Sequence, residues 1–347
     1  MMREIAEFAA GLAINAFTLL DVFSTILVPG PTRVGIRVAA LLSRLVLPAA
    51  RRFARPIKGP GTRPSNSFAP LLFLLATLFW LLLLLAGFGL MFHACAPLFR
   101  PHLNDFADAL YVAGSSLLTL GVSEVDAIGL ARWLILAAAL SGFGVITATV
   151  SFIIQVQAGL QQREPQVLSL SGVAGRPPTG IGILESYAAL GLERDLPRFF
   201  DTWRHWANEV LHSHVSYPVL CFFHSADAES DWLAALGAVL DAATMLIAFG
   251  GGEGRGEAVL MHRSGARAAA MLCDVFALEG DPGSPHDPAD FALLHARYAA
   301  AGYPADAPES QAIPALIALR TDYVPRIRAL SHHFGADRSR LLPRRGR

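Results

Sequence analysis

No charged side chain occurs between Arg63 and Arg100. Within that stretch Ala69 to Phe92 reads APLLFLLATLFWLLLLLAGFGLMF, long enough to cross the roughly 30 Å of bilayer hydrocarbon, which takes about 20 apolar residues. A helix so uniformly apolar must be sealed by lipid or by protein. Two further segments qualify. Leu130 to Gln157 is uncharged after Arg132 until Arg163, and Phe8 to Val28 is apolar apart from Asn15 and Asp21, stopping at Pro29-Gly30-Pro31. Charged residues make up 16% of the 347, against about 25% in an average soluble domain. The expected fold class is therefore an all-α membrane protein with three transmembrane helices and a mostly helical cytoplasmic domain. High hydrophobicity excludes a disordered chain, and a net charge of zero argues against nucleic acid as a partner. Cys95, Cys221 and Cys273 lie too far apart for a CxxC zinc site or a disulfide framework. The opening MMREIAEF has no basic n-region, so no cleaved signal peptide is expected.

Zero net charge conceals an asymmetry. From Arg163 onward 17 arginines face 21 acids, about −4; the first 162 residues carry 11 bases and 7 acids, about +4. Eight of those bases (Arg33, Arg37, Arg44, Arg51, Arg52, Arg55, Lys58 and Arg63) lie between the first two spans with no acid among them. The positive-inside rule makes that loop cytoplasmic. The N-terminus then lies outside the cell's inner membrane, and everything after Gln157 lies in the cytoplasm. The arginines recur at steps of four and seven, suiting either an interfacial helix on anionic headgroups or a plain basic loop. The expected layout is residues 1–30 as an N-terminal span, 31–68 as the basic linker, 69–162 as a membrane module and 163–347 as the cytoplasmic domain.

Between the second and third spans, Asn104–Asp108 and Glu124–Asp126 bracket the apolar run Ala109 to Leu118. A run that short hardly spans a bilayer and reads as a re-entrant helix, capped by Asn104 or Asp105 and unwinding at Thr119-Leu120-Gly121. The order of elements resembles the pore module of potassium channels. Phe106-Ala107-Asp108-Ala109-Leu110-Tyr111 is similar to the start of the pore helix in the two-span subfamily. Thr119-Leu120-Gly121-Val122-Ser123-Glu124 resembles the T-V-G-Y-G-D filter signature, and Arg132 falls at the head of the inner helix. The resemblance covers about 69–162. It implies a homotetramer in the lipid bilayer, each chain adding one loop of Thr119, Leu120, Gly121, Val122 and Ser123 whose carbonyls replace the hydration shell of a monovalent cation such as potassium. It implies no other cofactor, no metal site and no catalytic residue. Val122 stands where the family has an aromatic residue and Ser123 where it has a second glycine, which the alternating backbone of a filter favours. A non-conducting signalling or scaffolding protein built on channel architecture is therefore the alternative function.

In the third span Ser141, Gly144, Ala148, Ser151 and Gln155 recur at steps of three or four. This stripe either lines an aqueous vestibule or serves an ordinary helix contact. Gly142 or Gly144 is a gating bend or a tight packing point. Glu124 and Asp126 would ring the outer mouth with negative charge. Asp21 either bonds within the bundle or sits at the inner interface near Arg33, while His93 and Cys95 pack at the outer rim. Beyond Gln161, helical spacing covers Ile183–Leu190, Leu196–His212, Asp231–Phe249, Gly265–Leu278 and Asp290–Ala301. Gly250–Gly256 lacks the Lys-Ser/Thr of a phosphate-binding loop, and His205, His212, His214 and His332-His333 read as ordinary core or surface histidines. With no nucleophile–base set and no paired carboxylates, no enzyme is expected.

Overall fold

The computed structural model describes residues 1–27, 68–121, 125–175, 177–225, 231–250, 253–281, 283, 288–336 and 341. The basic linker lies outside them, as do Val122, Ser123 and Glu124. The described residues are 80% helical. In order come α1 (Met2–Val22), α2 (Phe68–Ala94), β1 (Phe99–Arg100), α3 (Phe106–Leu117), β2 (Asp126–Ala127) and α4 (Leu130–Ala174). They are followed by α5 (Gly180–Ala189), α6 (Leu196–Ser216), α7 (Trp232–Phe249), α8 (Arg255–Val275), α9 (Pro288–Ala300), α10 (Glu309–Arg320) and α11 (Val324–Phe334). Two compact units result, Met1–Gln155 and Val156–Arg347, with the division falling inside α4.

Among the described residues, four helices are long and apolar enough to cross a membrane: Met2–Ile26, Phe73–Ala94, Leu130–Ala174 and Trp232–Phe249. The protein is an all-α membrane protein. Burial separates the fourth from the others: 94% of its window is covered by protein, against 28–33% for the first three. A helix that is apolar all round belongs to a core or to lipid. In α7 the core wins, because α5, α8, α10 and α11 pack around it.

In the first unit α1 and α2 pack as an antiparallel pair. Gly11, Asn15, Thr18 and Asp21 recur at steps of three and four and are buried on one face of α1. A side chain on Gly11 or Gly87 would strike the opposite helix, so the two backbones approach closely, as small residues permit in membranes. Asp21, placed by sequence either in the bundle or near Arg33, is buried and accepts a 2.7 Å hydrogen bond from Trp80 Nε1. His93 Nδ1 lies 2.9 Å from Glu7 Oε2, with its ring edge-on to Phe106 at 5.9 Å, so it joins α1, α2 and α3 at the rim.

The second unit is a helical assembly around α7. Asp231 opens that helix by accepting from the Leu233 amide at 3.4 Å, and Thr179 caps α5 by accepting from Gly182 at 3.2 Å. The helices expected from periodicity are present with shifted ends; α10 and α11 add two that periodicity does not reveal. Inside the unit, Arg320 Nη1 and Tyr323 Oη both donate to Asp241 Oδ1 on α7. Burial pushes the Asp241 carboxyl upward and the guanidinium opposes it.

Breaking such a buried pair leaves one charge uncompensated, at a cost of about 3–5 kcal/mol. Arg320→Met should lower stability by about that much, followed by circular dichroism during denaturant unfolding, whereas the paired change Asp241→Leu with Arg320→Met should recover most of the loss. Equal losses in the single and double variants would contradict this.

Candidate functional site

The short hairpin between α2 and α4 is closed at its base by a two-stranded collar. Phe99 pairs with Ala127 and Arg100 with Asp126, antiparallel, and Ile128 N donates to Leu98 O at 2.8 Å. Arg132 Nε reaches back to Ala127 O at 2.8 Å. The collar brings the chain before α3 next to the chain that leads into α4. It places Asp126 exposed on β2.

Asp105 is the N-cap of α3, its Oδ1 accepting from the Asp108 amide at 2.9 Å. Asp108 Oδ2 accepts in return from Asn104 N and Nδ2, both at 3.0 Å. This reciprocal arrangement satisfies amides that a helix start leaves open, and both acids favour the positive end of the helix dipole. Ala109, Val112, Ala113 and Leu117 are buried, and Leu110 packs over Gly89 of α2 so closely that a Cβ there would lie 2.7 Å from Leu110 Cδ2.

The other end of α3 turns sharply. Thr119 N donates to Ser116 O at 3.0 Å and Leu120 N to Ser115 O at 2.9 Å, while Thr119 has φ +53° and Gly121 φ +66°. These bonds form the Schellman pattern, whose left-handed residue is usually glycine. A β-branched threonine there is strained by about 1–2 kcal/mol. Gly121 meets the second left-handed position without that cost. Thr119, Leu120 and Gly121 are exposed in the single chain. They sit at the C-terminal, partially negative end of α3, which favours a cation.

What holds this turn in place is Gly142 on α4. Any Cβ there would collide with the Leu117 carbonyl. Gly142 is thus a tight packing point. Gly144 has nothing within 4 Å of a built Cβ. The rest of α4 has three faces. Ala131, Leu134, Ala138, Gly142, Val145 and Thr149 are buried; Leu136, Phe143, Ile146, Val150 and Ile153 are exposed and apolar. At roughly 100° per residue, the stripe Ser141, Gly144, Ala148, Ser151 and Gln155 is turned about 100° from the first face and about 150° from the second. Ser141 and Ser151 donate to Ala137 O at 2.7 Å and Thr147 O at 2.9 Å, so their remaining lone pairs face outward from the helix. Gly144, Ser151 and Gln155 are exposed, Ser141 and Ala148 half-buried.

Sequence reasoning locates the T-L-G turn but misses the collar, the Asp108 return bonds and the seat on Gly142. All three depend on contacts between distant residues, although the pair Asn104/Asp108 carries a capping signal. No group of three or more metal-ligating side chains occurs among the described residues. His205 lies exposed, 3.6 Å from Asp201, whereas His214 is buried. No protein-family model matches the chain, and neither a curated protein nor a solved structure does.

The two glycines of α4 should respond with opposite signs. Gly142→Ala should destabilise by about 1–3 kcal/mol through overpacking. Gly144→Ala should be neutral or stabilise by up to about 1 kcal/mol through helix propensity. Thr119→Gly should relieve strain and raise the thermal midpoint. Thermal unfolding in detergent reads all three, and a Gly142→Ala protein as stable as wild type would contradict the seating role.

Proposed function

We propose that the protein is one subunit of a tetrameric pore-loop cation channel. The observation that carries this reading is a capped 12-residue helix between two apolar helices, seated on a glycine and ending in a left-handed Thr-Leu-Gly turn. In this reading α1, α2 and α4 cross the inner membrane, α3 re-enters it, and α7 stays within the cytoplasmic unit because its own neighbours already cover it. The order of the apolar spans and the arginine-rich linker favour an outside N-terminus and an inside C-terminal domain.

One chain supplies one loop, and a carbonyl-lined pathway needs several copies around an axis. Four copies of residues 119–123 would form the filter, with Glu124 and Asp126 drawing cations to its mouth. The polar stripe of α4 would face the inner vestibule. The third face of that helix, apolar and exposed, suits lipid. The domain from Val156 onward would assemble or regulate the pore, with no enzymatic role.

The second reading, a non-conducting scaffold, draws on Val122 and Ser123, which depart from the resembling filter at two positions. Ion flux into liposomes separates the two. The channel reading expects cation flux from wild type, and Val122→Tyr with Ser123→Gly should raise the potassium-to-sodium permeability ratio at least about tenfold, equivalent to about 1.4 kcal/mol. A folded tetramer passing no cation across varied voltage and pH, with or without those changes, would overturn the channel reading in favour of the scaffold.

A further inference from the structure

About two turns beyond Gln155, α4 carries a charged residue that sequence alone marks merely as the end of an apolar run. Arg163 is 1% exposed. Its Nη1 donates to His214 Nε2 at 3.1 Å and to Leu220 O at 3.2 Å; its Nη2 donates to Phe223 O at 2.7 Å. Nε and Nη2 hold Glu164 Oε1 at 2.9 and 2.7 Å, and the guanidinium lies 5.3 Å above the Trp232 ring. The Arg163 carbonyl accepts from Trp206 Nε1 at 3.1 Å. One side chain thus fixes the distal part of α4 to α6, to the turn after it and to the start of α7.

An arginine can only donate, so His214 Nε2 must present a lone pair. The ring is therefore neutral, its proton on Nδ1, 3.0 Å from Ser213 Oγ. Adding a proton at Nε2 sets N–H against N–H and places two cations side by side away from water. Glu164 Oε1 sits at the Nε and Nη2 edge of the guanidinium, and Asp231 Oδ2 lies 2.7 Å from His224 Nδ1. On α8, packed along α6, the charged Arg263, Arg267 and Asp274 are exposed, and Glu209 and His212 on α6 itself are also exposed.

We propose that the Arg163–His214 contact is a proton-sensitive latch: acid charges the ring, the two cations part, and residues 156–174 come away from the turn at 218–223. Two facts agree in sign. Burial first, and the Arg163 charge second, hold His214 well below the ordinary imidazole value of 6.5. A group whose titration is depressed in the folded state contributes stability above its unfolded value, and that contribution falls as pH drops below about 6.5. The latch stands without the channel reading; if both hold, cation flux changes over the same pH range as the latch.

Hydrogen–deuterium exchange on the full chain in lipid nanodiscs tests it, with rates corrected for intrinsic pH dependence. Between pH 7.5 and 4.5, wild-type residues 156–174 and 213–223 should lose protection by about tenfold or more. His214→Gln, whose amide oxygen accepts from Arg163 and does not titrate, should hold its protection, while His205→Gln should behave as wild type. Carbon-13 histidine spectra of the wild type should show the His214 ring titrating with the loss of protection, which keeps the test open if His214→Gln misfolds. Flat wild-type protection over that range, equal loss in His214→Gln, or a ring that titrates without loss of protection would overturn the latch. Absence of flux with an intact latch would count against the channel reading alone.

Discussion

The Leu117 carbonyl lies against the backbone of α4 at the one residue there that has no side chain in its way. That contact seats the end of α3 together with the buried Leu117 side chain and the capping bonds of the turn. Its N-terminal cap and its packing on α2 hold the other end, and the strand collar closes the hairpin on the opposite side. The turn at Thr119 depends on the same seat: a threonine in a left-handed conformation survives where surrounding contacts over-determine it. The position of the turn after α3 is therefore tied to the close approach of two backbones at Gly142.

Polar groups in the apolar first unit follow one economy. Asp21 finds Trp80, Glu7 finds His93, and Asn104 with Asp105 finds Asp108. Each would be costly in lipid without its partner. Together they define how α1, α2 and α3 meet.

Charge-free length makes the spans legible in the sequence, because desolvation depends on composition and little on context. The left-handed Gly121 is legible for a similar reason, since glycine is the residue that adopts that backbone freely. Thr119 is not: its conformation comes from a cap on a helix whose end is set by Gly142, on the next long helix. Asp21 stands ambiguous because its partner Trp80 is 59 residues away. The apolar α7 looks like a span by hydropathy, and only its neighbours make it a core helix. Pro314 inside α10 and Pro325 at the head of α11 mask both helices, since proline ordinarily signals a break. Arg163 reads as the limit of an apolar stretch, whereas the helix continues through it to Ala174.

The central claim is geometric, and an image of the intact protein in lipid nanodiscs by electron cryo-microscopy tests it most directly. The account predicts four chains about one axis, with residues 119–121 turned towards that axis at membrane depth. A particle of one or two chains, or one in which those residues face lipid or open solution, would contradict it.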